Sequence, residues 1–255
     1  MMIFHLLCLF TLLSTSFSAK LNRMYGGQEV SIEQVPFQVA ILTNSRFCCG
    51  GSLISWNFVL SAAHNFGDSY NPEHYSVKVG TSVLNDGSGL TINVKRIITH
   101  HKYNEHKIDY DFALMQLEDV YEFPKVVQFA RLPSIFDKLF DGDEVFVSGW
   151  GMTETGKSSD VLLGGTAKIF NFEKCYEANA GFLTSRMICA VHENGVTSPC
   201  IGDSGGPLFR ESDGLLFGVT SFGDGCGYPK SPDVYAKVTS ALDWIYDVMN
   251  YSGDI

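Results

Sequence analysis

The sequence has few basic residues, and after its first twenty positions it has no long hydrophobic run. Its 18 lysines and arginines face 28 aspartates and glutamates, which gives a formal net charge of −10. Such an acidic surface argues against nucleic acid and against anionic lipid as partners. No later stretch is apolar over the roughly 20 residues that a membrane span requires. The sequence therefore predicts neither a nucleic-acid-binding protein nor a membrane protein.

The composition allows the chain to bury a core, and its first residues predict export. Hydrophobic residues make up 45% of the sequence and charged residues 18%, so the chain can bury a core and is not disordered. Residues 1–18 are predicted to be a secretory signal. Their apolar run Ile3–Leu13 is too short to span a bilayer, and the small residues Ser16 and Ser18 precede the cut, although the usual basic residue at the start is missing. We expect a secreted, extracellular protein in which disulfides are permitted.

Cysteine is present but its pairing is open. Of seven cysteines, Cys8 leaves with the signal. The six that remain are Cys48, Cys49, Cys175, Cys189, Cys200 and Cys226. Six cysteines allow fifteen pairings, so spacing alone does not fix the connectivity.

Short apolar or alternating runs, separated by Gly, Asn, Asp and Pro, indicate β-strands. The first set comprises Val35–Leu42, Gly51–Leu60, Tyr75–Ser82, Leu90–Thr99 and Phe112–Leu117. The second set comprises Glu144–Gly151, Leu163–Phe170, Met187–Val191, Pro207–Arg210, Leu215–Gly223 and Asp233–Val238. A short helix is expected at Phe172–Asn179, and a second at Ser240–Met249 with Ser240 as N-cap and Leu242, Ile245, Tyr246 and Met249 on one face. The sequence predicts an all-β protein of two six-stranded antiparallel barrels with a C-terminal helix.

The segment Ser198–Leu208 contains Gly-Asp-Ser-Gly-Gly-Pro around Ser204. Glycines leave backbone N–H groups free to point at an approaching oxygen, so Ser204 can act as a nucleophile beside an oxyanion hole if a base lies near. The alternative is a tight glycine-rich turn that happens to carry a serine, and partners elsewhere in the chain decide between the two.

Two further residues complete a catalytic set. His64 follows Ser61-Ala62-Ala63, whose small side chains let the backbone pack tightly and leave the imidazole in a cleft. Asp111 precedes an apolar strand, where a buried carboxylate needs a donor such as a histidine N–H. Asp109 is interpreted as a turn former only. His100, His101 and His106 are interpreted as a solvated loop and not as a metal site.

With these residues in the order His, Asp, Ser, the chain from Met24 to about Asn250 resembles the trypsin/chymotrypsin family of secreted serine endopeptidases. The resemblance is carried by the sequence around His64, Asp111-Phe112-Ala113-Leu114, Ser148-Gly149-Trp150-Gly151, Gly202–Pro207, Ser221-Phe222-Gly223 and Pro232-Asp233-Val234-Tyr235. It implies an active site between the two barrels, with Ser204 as nucleophile and His64 as general base and then acid. Asp111 would hold the His64 tautomer, and the N–H groups of Gly202 and Ser204 would form the oxyanion hole. The implied reaction is peptide-bond hydrolysis through an acyl-enzyme, without a cofactor or a metal.

The resemblance also implies how the chain is processed. Residues 19–23 would be an activation propeptide and residues 24–255 the protease domain. Cleavage after Arg23 would free the Met24 amine to pair with Asp203. The expected partners are protein or peptide substrates, an activating protease and protein protease inhibitors, and the enzyme is expected to be a monomer.

The resemblance also predicts two disulfides and shows where this chain differs from the family. The matching family cysteines pair as Cys175–Cys189 and Cys200–Cys226. The family usually has a cysteine where Asn65 stands, so Cys49 loses that partner, and Cys48 has no clear mate. A vicinal Cys48–Cys49 bridge or an intermolecular bridge stays open. The mature chain begins with Met24-Tyr25 in place of two branched aliphatic residues.

The specificity pocket is expected to contain Ser198 at its base and Ser221, Phe222 and Gly223 along one wall. A small neutral residue at the base is typical of chymotrypsin-like members, but Asp233 stands where most members have glycine. We therefore predict mixed specificity, with arginine or lysine accepted beside leucine and phenylalanine, as in the broad-specificity arthropod members of the family. The alternative is that Asp233 turns away and accepts bonds from backbone N–H groups.

Two other functions are alternatives for a chain with this sequence. One is a catalytically weak or inactive homologue that uses the fold as a binding module; such proteins usually lose a triad residue, and here all three are present. The other is a narrow processing protease of a signalling cascade, which usually carries additional N-terminal modules. A general digestive or effector protease fits the short propeptide better.

Overall fold

The computed structural model describes residues 27–67, 71–119, 122–192, 198–227 and 231–251. The strands in these ranges are β1 (Gln28–Glu29), β2 (Gln38–Thr43), β3 (Arg46–Leu53), β4 (Phe58–Ser61), β5 (Tyr75–Val79), β6 (Leu90–Thr99), β7 (Ala113–Leu117), β8 (Glu144–Gly149), β9 (Leu163–Phe170), β10 (Met187–Val191), β11 (Pro207–Arg210), β12 (Leu215–Phe222) and β13 (Asp233–Lys237). The helices are α1 (Phe172–Ala178) and α2 (Leu242–Tyr251), and short 3-10 turns cover Ala63–Asn65, Pro72–His74 and Val238–Ser240.

The predicted pair of six-stranded antiparallel barrels is confirmed. Strands β2, β3, β4, β7, β6 and β5 close the first barrel in that order around a core that includes Val39, Ile41 and Met115. Strands β8, β9, β10, β13, β12 and β11 form a second ring, because β8 pairs with both β9 and β11, and β1 adds to β9 from outside. Closure leaves few unpaired strand edges in either half.

One predicted strand, Gly51–Leu60, is wrong as a single element. The structure divides it into the end of β3 and all of β4, and β3 begins earlier, at Arg46. The Ser55 hydroxyl accepts the N–H groups of Asn57 and Phe58 and so holds the intervening turn. This turn has no glycine or proline, which explains why the apolar run concealed it.

The helices match their predicted positions, but one cap differs. Asn171 caps α1 through its side chain, which accepts the N–H of Lys174. Ser240 does not cap α2: it ends the preceding 3-10 turn, and its hydroxyl donates to the Lys237 carbonyl. Trp244 lies in the core, whereas Tyr246, expected on the buried face, is 42% exposed. No described helix is long and apolar enough to cross a membrane.

Asp109 does more than form a turn. The Arg186 guanidinium, just before β10, donates to both of its oxygens, with Nη2 at 2.5 Å from Oδ2, and the Thr184 hydroxyl donates at 2.8 Å. The pair thus joins the loop that carries Asp111 to the second barrel. His100, expected in a solvated loop, is 4% exposed and stacks on Tyr110 and against Trp244, whereas His101 and His106 are exposed.

Candidate active site

Asp111 is fully buried two residues before β7 and accepts three hydrogen bonds. Its Oδ1 accepts the backbone N–H of His64 at 2.9 Å, and its Oδ2 lies 2.7 Å from His64 Nδ1. The Ser221 hydroxyl also donates to Oδ2, at 2.5 Å. A carboxylate can only accept, so His64 Nδ1 carries the proton and Nε2 is left with its lone pair.

The position of His64 follows from the residues before it. Strand β4 pairs with β7 so that Ser61 lies opposite Ala113, and a 3-10 turn then carries His64 toward Asp111. Ala62 and Ala63 are completely buried in this turn. Larger side chains have no room there, which is the physical reason for the small residues before the histidine.

The Ser204 turn is anchored through its carbonyl oxygen. That oxygen accepts the N–H of Gly50 at 2.9 Å and the side-chain amide of Asn65 at 3.2 Å. Gly205 has φ = 84°, and a Cβ there would overlap the Ser61 hydroxyl and the Gly50 carbonyl, so only glycine fits.

The backbone around Ser204 has unpaired donors. Asp203, Gly205 and Gly206 donate their N–H groups to backbone carbonyls. Within the described residues, the N–H groups of Gly202 and Ser204 have no protein acceptor. Both residues are partly exposed, and Gly202 adopts φ = 99°, a conformation that favours glycine. Two free N–H groups beside a serine hydroxyl suit the stabilisation of a developing oxyanion.

Asn65 joins the histidine turn to the serine turn. In addition to its bond to Ser204, its side-chain amide donates to the Ser61 hydroxyl at 3.2 Å, and that hydroxyl donates to the Gly50 carbonyl at 2.8 Å. From the sequence, Asn65 was notable only because the family usually has a cysteine at this position. The structure gives it hydrogen bonds that join the His64 turn to the Ser204 turn.

Asp203 lies buried directly before Ser204. Its carboxylate accepts the N–H of Gly151 at 2.8 Å and that of Cys200 at 2.9 Å. Gly149 and Gly151 are required beside it, because a Cβ on either would overlap its oxygens. Burial raises the pKa of the Asp203 carboxyl to about 6, against the effect of the two N–H groups. Arg23, the predicted cleavage site, and Met24, whose amine is predicted to pair with Asp203, lie outside the described residues.

A cavity of about 280 Å³ opens beside Ser204, and four of the five residues predicted for the specificity pocket line it. Its lining includes Ser221, Phe222, Gly223 and Asp233, together with both cysteines of the Cys200–Cys226 disulfide. Ser198 is buried behind Asp233, and its hydroxyl donates to Asp233 Oδ2 at 3.1 Å. A Cβ at Gly223 would lie 2.6 Å from Asp233 Oδ1, so the glycine makes room for the carboxylate.

Asp233 is a carboxyl group in an apolar setting. Burial raises its pKa to about 7, which outweighs the hydrogen bond from Ser198, and the charge of Asp203 acts in the same direction as burial. His192, which sequence reasoning missed, lies behind it with Nε2 3.7 Å from Asp233 Oδ2. Burial lowers the pKa of His192 to about 4, so this imidazole is neutral near neutral pH.

A second cavity, of about 540 Å³, adjoins the first. It is lined by His64, Phe66, Gly67, Tyr103, Glu105, Ile108, Ser221 and Phe222. The two cavities share Ser221 and Phe222 and so adjoin in one cleft, which Ser204 and His64 line.

The six cysteines in the described part of the chain form two disulfides and two free thiols. Cys175–Cys189 joins α1 to β10, and Cys200–Cys226 joins the two walls of the pocket beside Ser204. Cys48 and Cys49 are free thiols. Among the described residues, no group of three His, Cys, Asp or Glu side chains could hold a metal ion.

Comparisons with known proteins agree with this geometry. The family model described as Trypsin matches residues 24–245. Trypsin 5G1 of Aedes aegypti is 39% identical over 231 residues, which cover 89% of this chain and 85% of that protein. The solved structure of neuropsin, a serine protease expressed in the limbic system of mouse brain, superposes with a TM-score of 0.78 at 33% identity and covers 88% of this chain and 98% of its own. The chain therefore belongs to the trypsin family and is a serine endopeptidase.

Proposed function

We propose that Ser204 is the nucleophile, that His64 is first its general base and then the general acid, and that Asp111 holds His64 in the reactive tautomer. The carrying observation is the fully buried Asp111 carboxylate, which accepts both His64 Nδ1 and the His64 backbone N–H. Its negative charge stabilises the imidazolium that forms when His64 takes the serine proton. The free N–H groups of Gly202 and Ser204 then stabilise the tetrahedral oxyanion, and an acyl-enzyme on Ser204 is hydrolysed by water.

An organophosphate tests this assignment and separates the enzyme from a binding module. The activated protein is expected to take up one organophosphate per chain, on Ser204, and to lose its peptidase activity in proportion. The matched control is Ser212→Ala, an exposed serine in the turn after β11, which should be labelled fully. An activated, folded protein that is not labelled at Ser204 would instead support the weak or inactive homologue.

Activation is proposed to follow cleavage after Arg23 in a secreted zymogen. The new Met24 amine would enter the protein and pair with Asp203. Asp203 is 1% exposed and receives two backbone N–H groups, yet its pKa is raised, so a cation beside it would relieve the cost of its burial. The pair would fix the backbone immediately before Ser204. An activating protease and protein inhibitors are the partners that this scheme requires.

The variant Arg23→Gln is expected to stay inactive after treatment with a trypsin-like protease, whereas the wild type gains activity. Removing one partner of a buried ion pair costs about 3–5 kcal/mol, so the uncleaved chain should not hold the active conformation. Activity of the cleaved enzyme should fall at alkaline pH as the Met24 amine loses its proton. Lys20→Gln, which alters a basic residue of the same short segment, should activate normally. Full activity of uncleaved Arg23→Gln would contradict the scheme.

Mixed primary specificity is proposed for the pocket, with arginine or lysine accepted beside leucine and phenylalanine. The support is a cavity whose lining is mainly apolar but includes the Asp233 carboxylate. Within the described residues, the Ser198 hydroxyl is the only hydrogen-bond donor to that carboxylate, which leaves acceptor capacity for a cationic side chain.

A further inference from the structure

Cys48 and Cys49 are brought together by an irregularity in β3. Cys49 pairs with Ile41 and Phe47 with Leu42, so β3 carries one residue more than β2, and Cys48 has no partner in the register. Side chains of consecutive residues in a regular strand point to opposite faces. A bulge changes this direction, and the two sulfurs of these adjacent residues lie 2.9 Å apart.

The two thiols differ in exposure and in pKa, as expected for a pair that reacts one after the other in thiol–disulfide exchange. Cys48 is partly exposed, and the hydrogen bond from Cys49 lowers its pKa to about 7 against the effect of burial, with smaller contributions from Thr43 and His64. Cys49 is 1% exposed, and its pKa is raised by the hydrogen bond to Cys48 and by burial. Tyr75, which packs nearby, has a raised pKa and is neutral. Cys48 is therefore the accessible attacking thiolate, and Cys49 is the protected second thiol.

We propose that Cys48 and Cys49 form a redox-active dithiol that reacts with small disulfides such as oxidised glutathione and closes to a vicinal disulfide. The Cys48 thiolate attacks one sulfur, forms a mixed disulfide and releases one glutathione thiolate. Cys49 then gives its proton to solvent and attacks the Cys48 sulfur, which releases the second glutathione. The protein loses two electrons and two protons, and the oxidised glutathione is reduced to two thiols.

The same strand connects this pair to the active site. Gly50, the residue after Cys49, donates its N–H to the Ser204 carbonyl and accepts the Ser61 hydroxyl. Bringing the two sulfurs from 2.9 Å to bonding distance changes the backbone between Cys48 and Cys49, and we expect Gly50, the next residue, to shift with it. We expect this displacement to lower activity; this part of the inference rests on the proposed role of Ser204, whereas the thiol chemistry does not.

The chemistry is tested in Ser204→Ala, which is not expected to digest itself. After incubation with oxidised glutathione, mass spectrometry should find the loss of two hydrogens in the peptide that contains both cysteines. Cys49→Ser in the same background should stop at a stable adduct of one glutathione on Cys48, and Cys48→Ser should react far more slowly. A stable adduct on Cys48 with Cys49 intact, or no reaction at all, would overturn the proposal.

The link to activity is tested in the enzyme with Ser204 present. Oxidised glutathione should lower kcat/KM several-fold, and mild reductant should restore it while Cys175–Cys189 and Cys200–Cys226 stay closed by mass. Cys48→Ser should keep its activity under the same treatment. If the vicinal disulfide forms and kcat/KM does not change, the coupling to the active site is refuted.

Discussion

Replacing Ser204 by alanine is expected to lower kcat for peptide hydrolysis by about 10⁶-fold. The proposed nucleophile is then gone, and only the free N–H groups and the binding cleft still favour the reaction. Binding should persist, because the cavity beside Ser204 is lined mostly by other residues. The measurement is steady-state hydrolysis of a peptide amide by the activated chain, with KM compared between variant and wild type.

The proposed joint action of Ser204 and His64 makes the same prediction sharper. His64→Ala should cost about as much as Ser204→Ala, and the double variant should cost little more than either, because residues that act as one unit are not additive. Ser212→Ala is the control for a serine outside the cleft. Additive losses in the double variant would show that the two residues act separately and would contradict the proposed mechanism.

The second large effect is expected at Asp233. Asp233→Asn keeps the shape of the side chain and removes its charge, and Asp233→Gly removes the group. Both should lower kcat/KM for an arginine substrate by roughly a hundredfold relative to a matched phenylalanine substrate, equivalent to a loss of about 3 kcal/mol for a buried charge pair. An unchanged ratio of arginine to phenylalanine cleavage in both variants would mean that Asp233 does not contact the substrate.

The pH dependence of that ratio follows from the raised pKa. Because the pKa of Asp233 is about 7, the charged form, which we propose binds arginine, is scarce at pH 5 and dominant at pH 8. The arginine-to-phenylalanine ratio of kcat/KM should therefore rise with pH and level off above about pH 8. Changes in the catalytic step that are common to both substrates cancel in the ratio, and His192, with a pKa of about 4, is neutral over this range. In Asp233→Asn the ratio should not depend on pH.

Much of the fold was accessible from the sequence because its signals are local. Alternating apolar residues and punctuating glycines predicted most strands and both helices. The β3–β4 turn was missed because Ser55 and Asn57 stabilise it without a glycine or proline. The face of α2 was partly misassigned, since packing against His100 and not periodicity alone decides that Trp244 is buried.

The site was predictable only in its motifs. Ser204, His64 and Asp111 stand in recognisable local contexts, and the pocket residues could be placed by resemblance. The pairing of Asp109 with Arg186, 77 residues away, depends on the docking of two barrels, and no local pattern indicates it. The same holds for His192 behind Asp233. The bulge at Cys48 arises from the register between β2 and β3, which cannot be predicted from the sequence pattern alone.

Asn65 contributes a hydrogen bond at a position where the family usually has a cysteine in a disulfide. A hydrogen bond can break and reform within the native protein, whereas a cystine holds until it is chemically reduced. Breaking and remaking this contact between the His64 turn and the Ser204 turn therefore requires no change in covalent bonding. Reductants leave this contact untouched, so under reducing conditions the enzyme would lose the cross-link in its pocket wall before it loses the alignment of its histidine.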